Sequence, residues 1–410
     1  MKMEKIFQKI EAYGDEIIDF QRELTSKIAL GPANGGTGEH EKALYLKEKL
    51  QDLNPYRLEM INAPDPGARE GFRPNIVAQW KGKFHGPTVW ILCHMDIVPP
   101  GDLSLWESDP YILRLDGDRI IGRGVEDNQH GIVSSYLALK GIRDAGFDPE
   151  LPIGLVYVAD EETGSEFGLE YLLRNHMDLF KKEDLIIVPD GGNEKGTMIE
   201  VAEKSMLWLK FTVNGRQCHA SIPDKGKNSL YGIARLIIAL DELKDKYNLT
   251  DDLFSPRQST FEPTKIEANV PNINTIPGRD VFYLDCRILP VYAVDEIYGT
   301  ASGIAKDLEK QLGLSIDITT VYRLDAVNPT SVDAAIVKTL AGAIKEVKGL
   351  EAKPMGIGGG TVAAFFRQAG LPAAVWMTTH DTAHQPNEYT LISDIITDAK
   401  IFACVYMNRY

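Results

Sequence analysis

The chain has 410 residues and is acidic: 44 lysines and arginines stand against 59 aspartates and glutamates, for a formal net charge of -15. This charge, with no basic stripe among aromatic residues, argues against a nucleic-acid partner, and the lack of any apolar run of about 18 residues argues against a membrane span. The length exceeds what one ordinary core holds and predicts two domains.

The first half of the chain alternates helical and strand patterns. In order, these patterns predict helices over 3–30 and 38–52, strands over about 75–80, 88–94 and 111–115, a helix over 132–142, and strands over 153–159 and 185–189. Such an alternation predicts an α/β sheet with helices on its faces. Polar residues follow three of the strands, at His94-Met-Asp96, Asp160-Glu161-Glu162 and Asp190. Because ligands collect at the carboxyl ends of strands, we expect a site at this edge.

From residue 205 the pattern changes. Strand-like alternation at 206–213, 281–288 and 316–322, with helical stretches at 229–245 and 294–311, predicts a small α+β domain. Helical and apolar patterns then return from about residue 332 to the end of the chain. We therefore predict a discontinuous catalytic domain, 1–204 and 327–410, that contains an inserted domain, 205–326.

The cysteines, Cys93, Cys218, Cys286 and Cys404, form no Cys-x-x-Cys motif, so neither a disulfide framework nor a thiolate zinc site is predicted. The first residues carry charges throughout and lack the apolar segment of a secretory signal, which predicts a cytoplasmic protein.

Histidine and carboxylate side chains offer a different metal site. His94 and Asp96 lie on the same side of a strand, and a metal-binding imidazole needs such an acceptor for its second ring nitrogen. A core histidine capped by its neighbour explains this tripeptide equally well. Each acidic residue alone is more often a solvated surface group, so the placement at strand ends is what favours a site.

Charge arithmetic then indicates two metal ions. The candidate ligands are His94, Asp127, Glu162, Asp190 and His384. Three carboxylates and one hydroxide balance two divalent ions. If Asp127 and the hydroxide bridge, each ion receives one histidine, one terminal carboxylate and two bridging oxygens, the four-coordinate shell that zinc prefers. Glu161 then remains unbound and can act as the general base.

These residues together resemble a known family. The matching segments are His94-Met-Asp96, Gly122-Arg-Gly-Val-Glu-Asp127-Asn, Asp160-Glu161-Glu162-Thr-Gly164, Pro189-Asp190, Cys218-His219-Ala-Ser and Ala383-His384-Gln-Pro-Asn-Glu388. They resemble the dinuclear-zinc metallopeptidases and deacylases, which include aminoacylase, carboxypeptidase G, succinyl-diaminopimelate desuccinylase and acetylornithine deacetylase. The match runs in order through nearly the whole chain. One departure is Gln129-His130, where many members have Met-Lys, and it affects no ligand.

The resemblance implies specific roles in the catalytic domain. One zinc is held by His94, Asp127 and Asp190, and the other by Asp127, Glu162 and His384, with Co²⁺ or Mn²⁺ as possible substitutes. Glu161 matches the general base and Asp96 the residue that orients His94. The Asp127-Asn128 peptide is expected to be cis.

The resemblance also implies roles for the inserted domain, which in the family is a lid that usually dimerises. His219 matches the lid histidine that stabilises the oxyanion. Asn274 and Arg287 match a turn and an arginine that meet the substrate carboxylate. Gly359 and Gly360 lie in a glycine run that lacks the lysine of a phosphate loop, so we interpret it as a backbone turn close to the substrate.

We therefore expect an α/β protein, a mixed-sheet zinc-peptidase domain with an inserted α+β lid or dimerisation domain. The expected function is hydrolysis of an amide bond in an N-acyl amino acid or short peptide with a free carboxylate, by a zinc-bridging hydroxide. A dipeptidase or carboxypeptidase is the alternative within this class. A remote alternative is an inactive binding protein, which a lost ligand or base would signal, and none is lost. A homodimer is expected, with neither nucleic acid nor membrane as a partner.

Overall fold

The computed structural model describes residues 2–408, which separate into two compact units. The first contains the chain up to Val201, Thr330–Met355 and the chain from Thr361 onward, and the second contains Ala202–Pro329 with Gly356–Gly360. The predicted boundaries at 204/205 and 326/327 differ from these by three residues. Gly356–Gly360 lie in the second unit, whereas the predicted catalytic domain includes them.

The elements of the first unit begin with α1 (Lys2–Glu11), α2 (Gly14–Ser26), α3 (His40–Gln51), β1 (Arg57–Pro64), β2 (Phe72–Trp80), β3 (Val89–His94), β4 (Arg114–Asp116), β5 (Arg119–Ile121), α4 (Gln129–Asp144), β6 (Ile153–Val158), α5 (Leu169–Asn175), β7 (Leu185–Asn193) and β8 (Met198–Glu203). The next elements are β9 (Ser205–Asn214), β10 (Cys218–His219), α6 (Ser229–Leu240), α7 (Glu242–Lys246), β11 (Thr260–Ile266), β12 (Thr275–Ile276), β13 (Arg279–Ile288), α8 (Val294–Leu312) and β14 (Ser315–Leu324). The last are α9 (Ala335–Lys348), β15 (Lys353–Ile357), α10 (Ala363–Gln368), β16 (Ala373–Thr378), β17 (Tyr389–Leu391) and α11 (Ile392–Tyr406).

An eight-stranded mixed sheet organises the first unit, in the order β1-β2-β6-β3-β7-β16-β8-β15. Strand β3 runs parallel to β6 and β7, and β16 runs parallel to β7, so the carboxyl ends of four neighbouring strands meet at one edge. Every residue of β3 and β6 is buried, as expected for strands covered on both faces. The predicted mixed α/β fold is confirmed.

The second unit is built on a four-stranded antiparallel sheet, in the order β11-β13-β9-β14. Alternate residues of β9, such as Leu209 and Phe211, are buried in one apolar cluster with Leu236 of α6 and Ile297 of α8. The two helices thus cover one face of this sheet, which explains the alternating pattern of its strands.

Some local predictions were wrong. Residues 3–30 form two helices with a break at residues 12–13. The strand predicted over 111–115 begins only at Arg114, because the Asp109 carboxylate accepts the Tyr111 N–H and holds a turn there. Strand β1 was missed because it alternates little and is half-exposed at the sheet edge. No helix among the described residues has both the length and the apolar composition that crossing a bilayer requires.

A buried carboxylate, that of Asp184, binds the chain where the central strand β3 begins. Asp184 accepts hydrogen bonds from the backbone N–H of Thr88 and Lys181 and from the indole N–H of Trp90, at 2.8–2.9 Å. Because an amide presents only one acceptor oxygen, Asp184→Asn should lower the free energy of unfolding by about 1 to 3 kcal/mol.

Urea denaturation followed by circular dichroism measures this change. The exposed Asp333→Asn is the matched control, and it should shift stability by less than about 1 kcal/mol. Equal effects of the two variants would contradict the anchoring role of Asp184.

Candidate metal centre

The strand ends that were predicted to carry the site lie together at one end of the sheet in the first unit. His94 is the last residue of β3, and Glu161 and Glu162 lie three and four residues after β6. Asp190 lies inside β7, whereas the sequence analysis placed it just after a strand. Between the pairs Val375↔Val188 and Met377↔Gly192, β7 has three intervening residues and β16 has one. This bulge bends β7 at Asp190, which is how such irregularities re-aim a side chain.

Asp127 occupies the centre of the cluster. Its Oδ1 lies 2.7 Å from Nε2 of His94, and its Oδ2 lies 3.1 Å from Nε2 of His384. The Nε2 of His94 is also 3.5 Å from Asp190, and that of His384 is 3.1 Å from Glu162. The structure therefore brings all five predicted ligands together, with one oxygen of Asp127 toward each histidine.

Glu161 belongs to the same cluster. Its carboxylate and ligand atoms of His94 and Asp190 lie within 4.8 Å of one another, as do those of His94, Asp127 and Glu162. Proximity alone does not separate a base from a ligand here. The division of roles between Glu161 and its neighbour Glu162 stays a prediction.

Burial and like charge dominate the electrostatics of the cluster. Burial, followed by the charge of Asp190, raises the pKa of Glu161 well above its usual range, and burial with the charge of Asp127 raises the pKa of Glu162 to about 7. The pKa of Asp127 moves below its usual range, since the two histidines outweigh its burial. Hydrogen bonds that His384 donates to the carboxylates of Asp127 and Glu162 raise the pKa of this imidazole to about 10.

The cluster fits divalent cations. One carboxylate oxygen, Oε1 of Glu162, is buried and has no hydrogen-bond partner among residues 2–408. Buried carboxylates in this number need positive charge beyond that of two imidazoles, because repulsion and lost hydration disfavour their ionised forms. Imidazole nitrogen and carboxylate oxygen are ligands for zinc and similar ions.

Asp96 contacts both His94, the partner that the resemblance implied, and the pair Glu161 and Glu162. The Nδ1 of His94 lies 3.0 Å from the backbone carbonyl of Asp96 and 3.5 Å from its carboxylate. The carboxylate oxygens instead accept the backbone N–H groups of Glu161 and Glu162 at 3.1 and 3.0 Å. The main chain of Asp96 therefore orients the imidazole, and its side chain positions the two glutamates.

Two further positioning residues were missed. Asn128 donates from Nδ2 to the Asp190 carboxylate at 3.0 Å, and the Asp127-Asn128 peptide is cis, as the resemblance implied. The buried Arg73 lies 3.3 Å from Asp160, the residue before the glutamate pair. Asn128 could have been noticed beside a ligand. No sequence signal points from residue 73 to residue 160, because their contact depends on the tertiary fold.

In the second unit, His219 and Asn274 lie close together. Strand β10 pairs with β12, with His219 opposite Thr275, and the Asn274 carbonyl accepts the Ala220 N–H at 2.8 Å. The Nδ1 of His219 accepts the backbone N–H of Ser221 at 3.1 Å. A neutral imidazole bonded in this way carries its proton on Nε2, and no residue among 2–408 is bonded to that atom. His219 is exposed, so this N–H is an available donor.

Arg287 is already paired within the second unit. Its Nε and Nη2 donate to the two oxygens of Asp285 at 2.7 and 3.1 Å, and its Nη1 donates to the carbonyl of Gly358 and to the sulfur of Met206, both at 2.8 Å. Most of the guanidinium donors are therefore in use. Of the predicted glycines, Gly359 has open space where a Cβ would stand, whereas a Cβ on Gly360 would lie 2.9 Å from Leu324.

Known proteins resemble this chain over most of its length. Residues 90–408 match the family described as Peptidase family M20/M25/M40. The chain is 42% identical over 408 residues to an uncharacterized metallohydrolase of Methanococcus maripaludis, across 95% of this chain and 98% of that protein. It is 28% identical over 407 residues to the succinyl-diaminopimelate desuccinylase of Afipia carboxidovorans, across 96% and 98% of the two chains.

Among solved structures, human carnosine dipeptidase 1 has the same fold. The TM-score is 0.76 at 18% sequence identity, and the alignment covers 99% of this chain and 98% of the dipeptidase. The resemblance drawn from the motifs is confirmed, and with it the class of metal-dependent amide-bond hydrolases. The chain belongs to peptidase family M20/M25/M40.

Proposed function

We propose that the protein uses two divalent metal ions to hydrolyse the amide bond of an N-acyl amino acid or short peptide that has a free carboxylate. The central position of Asp127 carries this proposal, because its two oxygens face two different histidines. His94 and Asp190 would complete one ion's ligands, and Glu162 and His384 the other's. Such ions lower the pKa of water and polarise a carbonyl group.

Glu161 is proposed as the general base. It takes the proton of the attacking water and passes it to the nitrogen of the leaving amine, as a carboxylate beside the reacting groups can do. The hydrogen bond from its backbone N–H to Asp96 fixes the main chain at this point. A base held in place loses less entropy when it reaches the transition state.

The choice between deacylase and exopeptidase rests on the groups that meet the two ends of the substrate. A relative named as a desuccinylase supports a deacylase. A structural neighbour named as a dipeptidase shares only the fold, so it leaves the exopeptidase as the second candidate. Arg287, Asn274 and the turn at Gly359 and Gly360 are proposed to recognise the substrate. Since Asp285 already pairs with Arg287, we expect this arginine to use its remaining N–H and to contribute modestly.

Zinc as the native metal, a homodimer formed through the second unit and a cytoplasmic location are parts of the same proposal. Family membership supports the use of metal but not these finer points. Assays of metal-loaded protein against acyl-amino acids and dipeptides test the substrate class. Hydrolysis of neither group by protein with two bound ions would overturn the proposal.

The neighbours Glu161 and Glu162 provide a matched test of the proposed roles. Glu161→Gln should keep both metal ions and lower turnover by about 10²- to 10⁴-fold, since an amide keeps the shape but cannot accept the proton. Glu162→Gln should weaken the binding of one ion. Metal analysis and steady-state kinetics on the best substrate of the panel measure both effects. Indistinguishable variants would show that the two roles are assigned wrongly.

His219 is proposed to donate its Nε2 proton to the oxygen that gains negative charge. His219→Ala should therefore lower the turnover number by about 10²- to 10³-fold, the usual cost of one such donor, and leave the metal content unchanged. The exposed His85→Ala is the control and should leave turnover unchanged. Wild-type turnover in the His219 variant would remove this residue from the reaction.

A further inference from the structure

Two loops carry Asp127 and His384 to the metal centre. The Asp127 loop, residues 122–128, leaves the end of β5, and the His384 loop, residues 379–388, enters the start of β17. Strands β5 and β17 pair with each other, so the two loops start side by side. Neither loop has a strand or helix that fixes it over these residues. One main-chain hydrogen bond, from the N–H of Gly122 to the carbonyl of Glu388 at 3.0 Å, joins the two loops, and side-chain contacts add to it.

Glu126 binds the backbone of the His384 loop. Its Oε1 accepts the N–H of His380 at 2.5 Å, and its Oε2 accepts the N–H groups of Thr382 and Ala383 at 2.7 and 2.9 Å. The hydroxyl of Thr382 donates to the same Oε2 at 2.8 Å. Glu126 is only 1% exposed, so its charge is stabilised chiefly by these donors.

Glu388 binds the backbone of the Asp127 loop in return. Its Oε1 accepts the N–H groups of Glu126 and Asp127 at 2.9 and 3.1 Å. Its Oε2 accepts the N–H of Gly124 at 2.9 Å and an N–H of the Arg123 guanidinium at 2.7 Å. Glu388 is fully buried. Each loop therefore contributes one buried carboxylate that fastens the other, an arrangement we call the reciprocal clasp.

The clasp lies next to the metal centre. Glu126 directly precedes Asp127, and Glu388 follows His384 by four residues. Eight hydrogen bonds to the carboxylates of Glu126 and Glu388 connect the two loops. Burying two charges is costly, and that cost is tolerated where the charges specify one arrangement.

We propose that Glu126 and Glu388 are positioning residues that set the distance between the Asp127 carboxylate and the His384 imidazole. This inference rests on the proposed function, because the same pair is proposed to share one metal ion with Glu162. Outer groups that hold metal ligands typically change metal affinity by about 10- to 100-fold when they are removed. The clasp therefore controls the affinity of one ion and leaves the ion at His94 and Asp190 less affected.

Metal titration of the full-length protein tests this proposal. Metal-free wild type, Glu126→Gln, Glu388→Gln and the double variant are titrated with Zn²⁺ against a competing chelator. Each single variant should keep one tight ion and bind the other about 10- to 100-fold more weakly. The double variant should be no weaker than the worse single variant, because breaking either half of the clasp frees both loops.

Asp184→Asn is the matched control, since Asp184 is also a buried carboxylate that binds backbone N–H groups, but at the start of β3. It should bind both ions as the wild type does. If either Glu variant fails to fold, Thr382→Val removes a single hydroxyl of the clasp and should weaken the same ion by a smaller factor. Unchanged affinity for both ions in the folded variants overturns the proposal.

Hydrogen exchange of the metal-free proteins separates this inference from the proposed function. In Glu126→Gln the amides of residues 380–383 should exchange faster than in wild type, and in Asp184→Asn they should not. If the wild type binds fewer than two ions, the proposed function fails, and faster exchange at residues 380–383 still supports the clasp. Unchanged exchange there contradicts the clasp whatever the metal content.

Discussion

Repulsion between buried carboxylates dominates the end of the sheet that carries the candidate metal ligands. Asp127, Glu161, Glu162 and Asp190 lie together at one end of the sheet, and within residues 2–408 the imidazoles of His94 and His384 are the basic groups in contact with them. Burial and mutual repulsion raise the pKa values of three of them. Placing these carboxylates together lowers the stability of the fold, so stability alone does not explain their arrangement. The pair of divalent cations that we propose would offset this repulsion and use the carboxylates as ligands.

Holding such groups together requires rigid support, and the support comes from the segments that carry the ligands themselves. The Asp96 carboxylate binds the amides of Glu161 and Glu162, and Asn128 donates to Asp190. The reciprocal clasp does the same for the Asp127 and His384 loops. Each segment is thus positioned by a side chain from another one, so no loop depends on its own conformation alone. Ligands fixed before the metal binds lose little entropy on binding.

The sequence predicted the elements whose signal is local. The apolar residues before His94 and before Asp160 identified buried parallel strands, and the known behaviour of strand ends then placed the candidate ligands together. The resemblance added the assignment of ligands to two ions. The pattern of alternate residues around Leu209 and Phe211 identified the antiparallel sheet of the second unit in the same way.

Contacts between distant segments could not be predicted in this way. Two contacts join residues that are far apart in the chain, Arg73 with Asp160 and Arg287 with Gly358. The inclusion of Gly356–Gly360 in the second unit depends on distant segments in the same way. Asp190 lies within a bulged strand because β16 pairs irregularly with β7, and neither strand shows this alone. Glu126 directly precedes a candidate ligand in the sequence, but its role follows from the backbone N–H groups of residues 380, 382 and 383 that it binds in the fold.

The central claim is that Asp127 is shared by two metal ions. A crystal of the wild-type protein grown with Zn²⁺ and measured at the zinc absorption edge tests it most directly. We expect two anomalous peaks, one between Asp127 and His94 and one between Asp127 and His384. A single peak, or two peaks of which only one contacts Asp127, would contradict it.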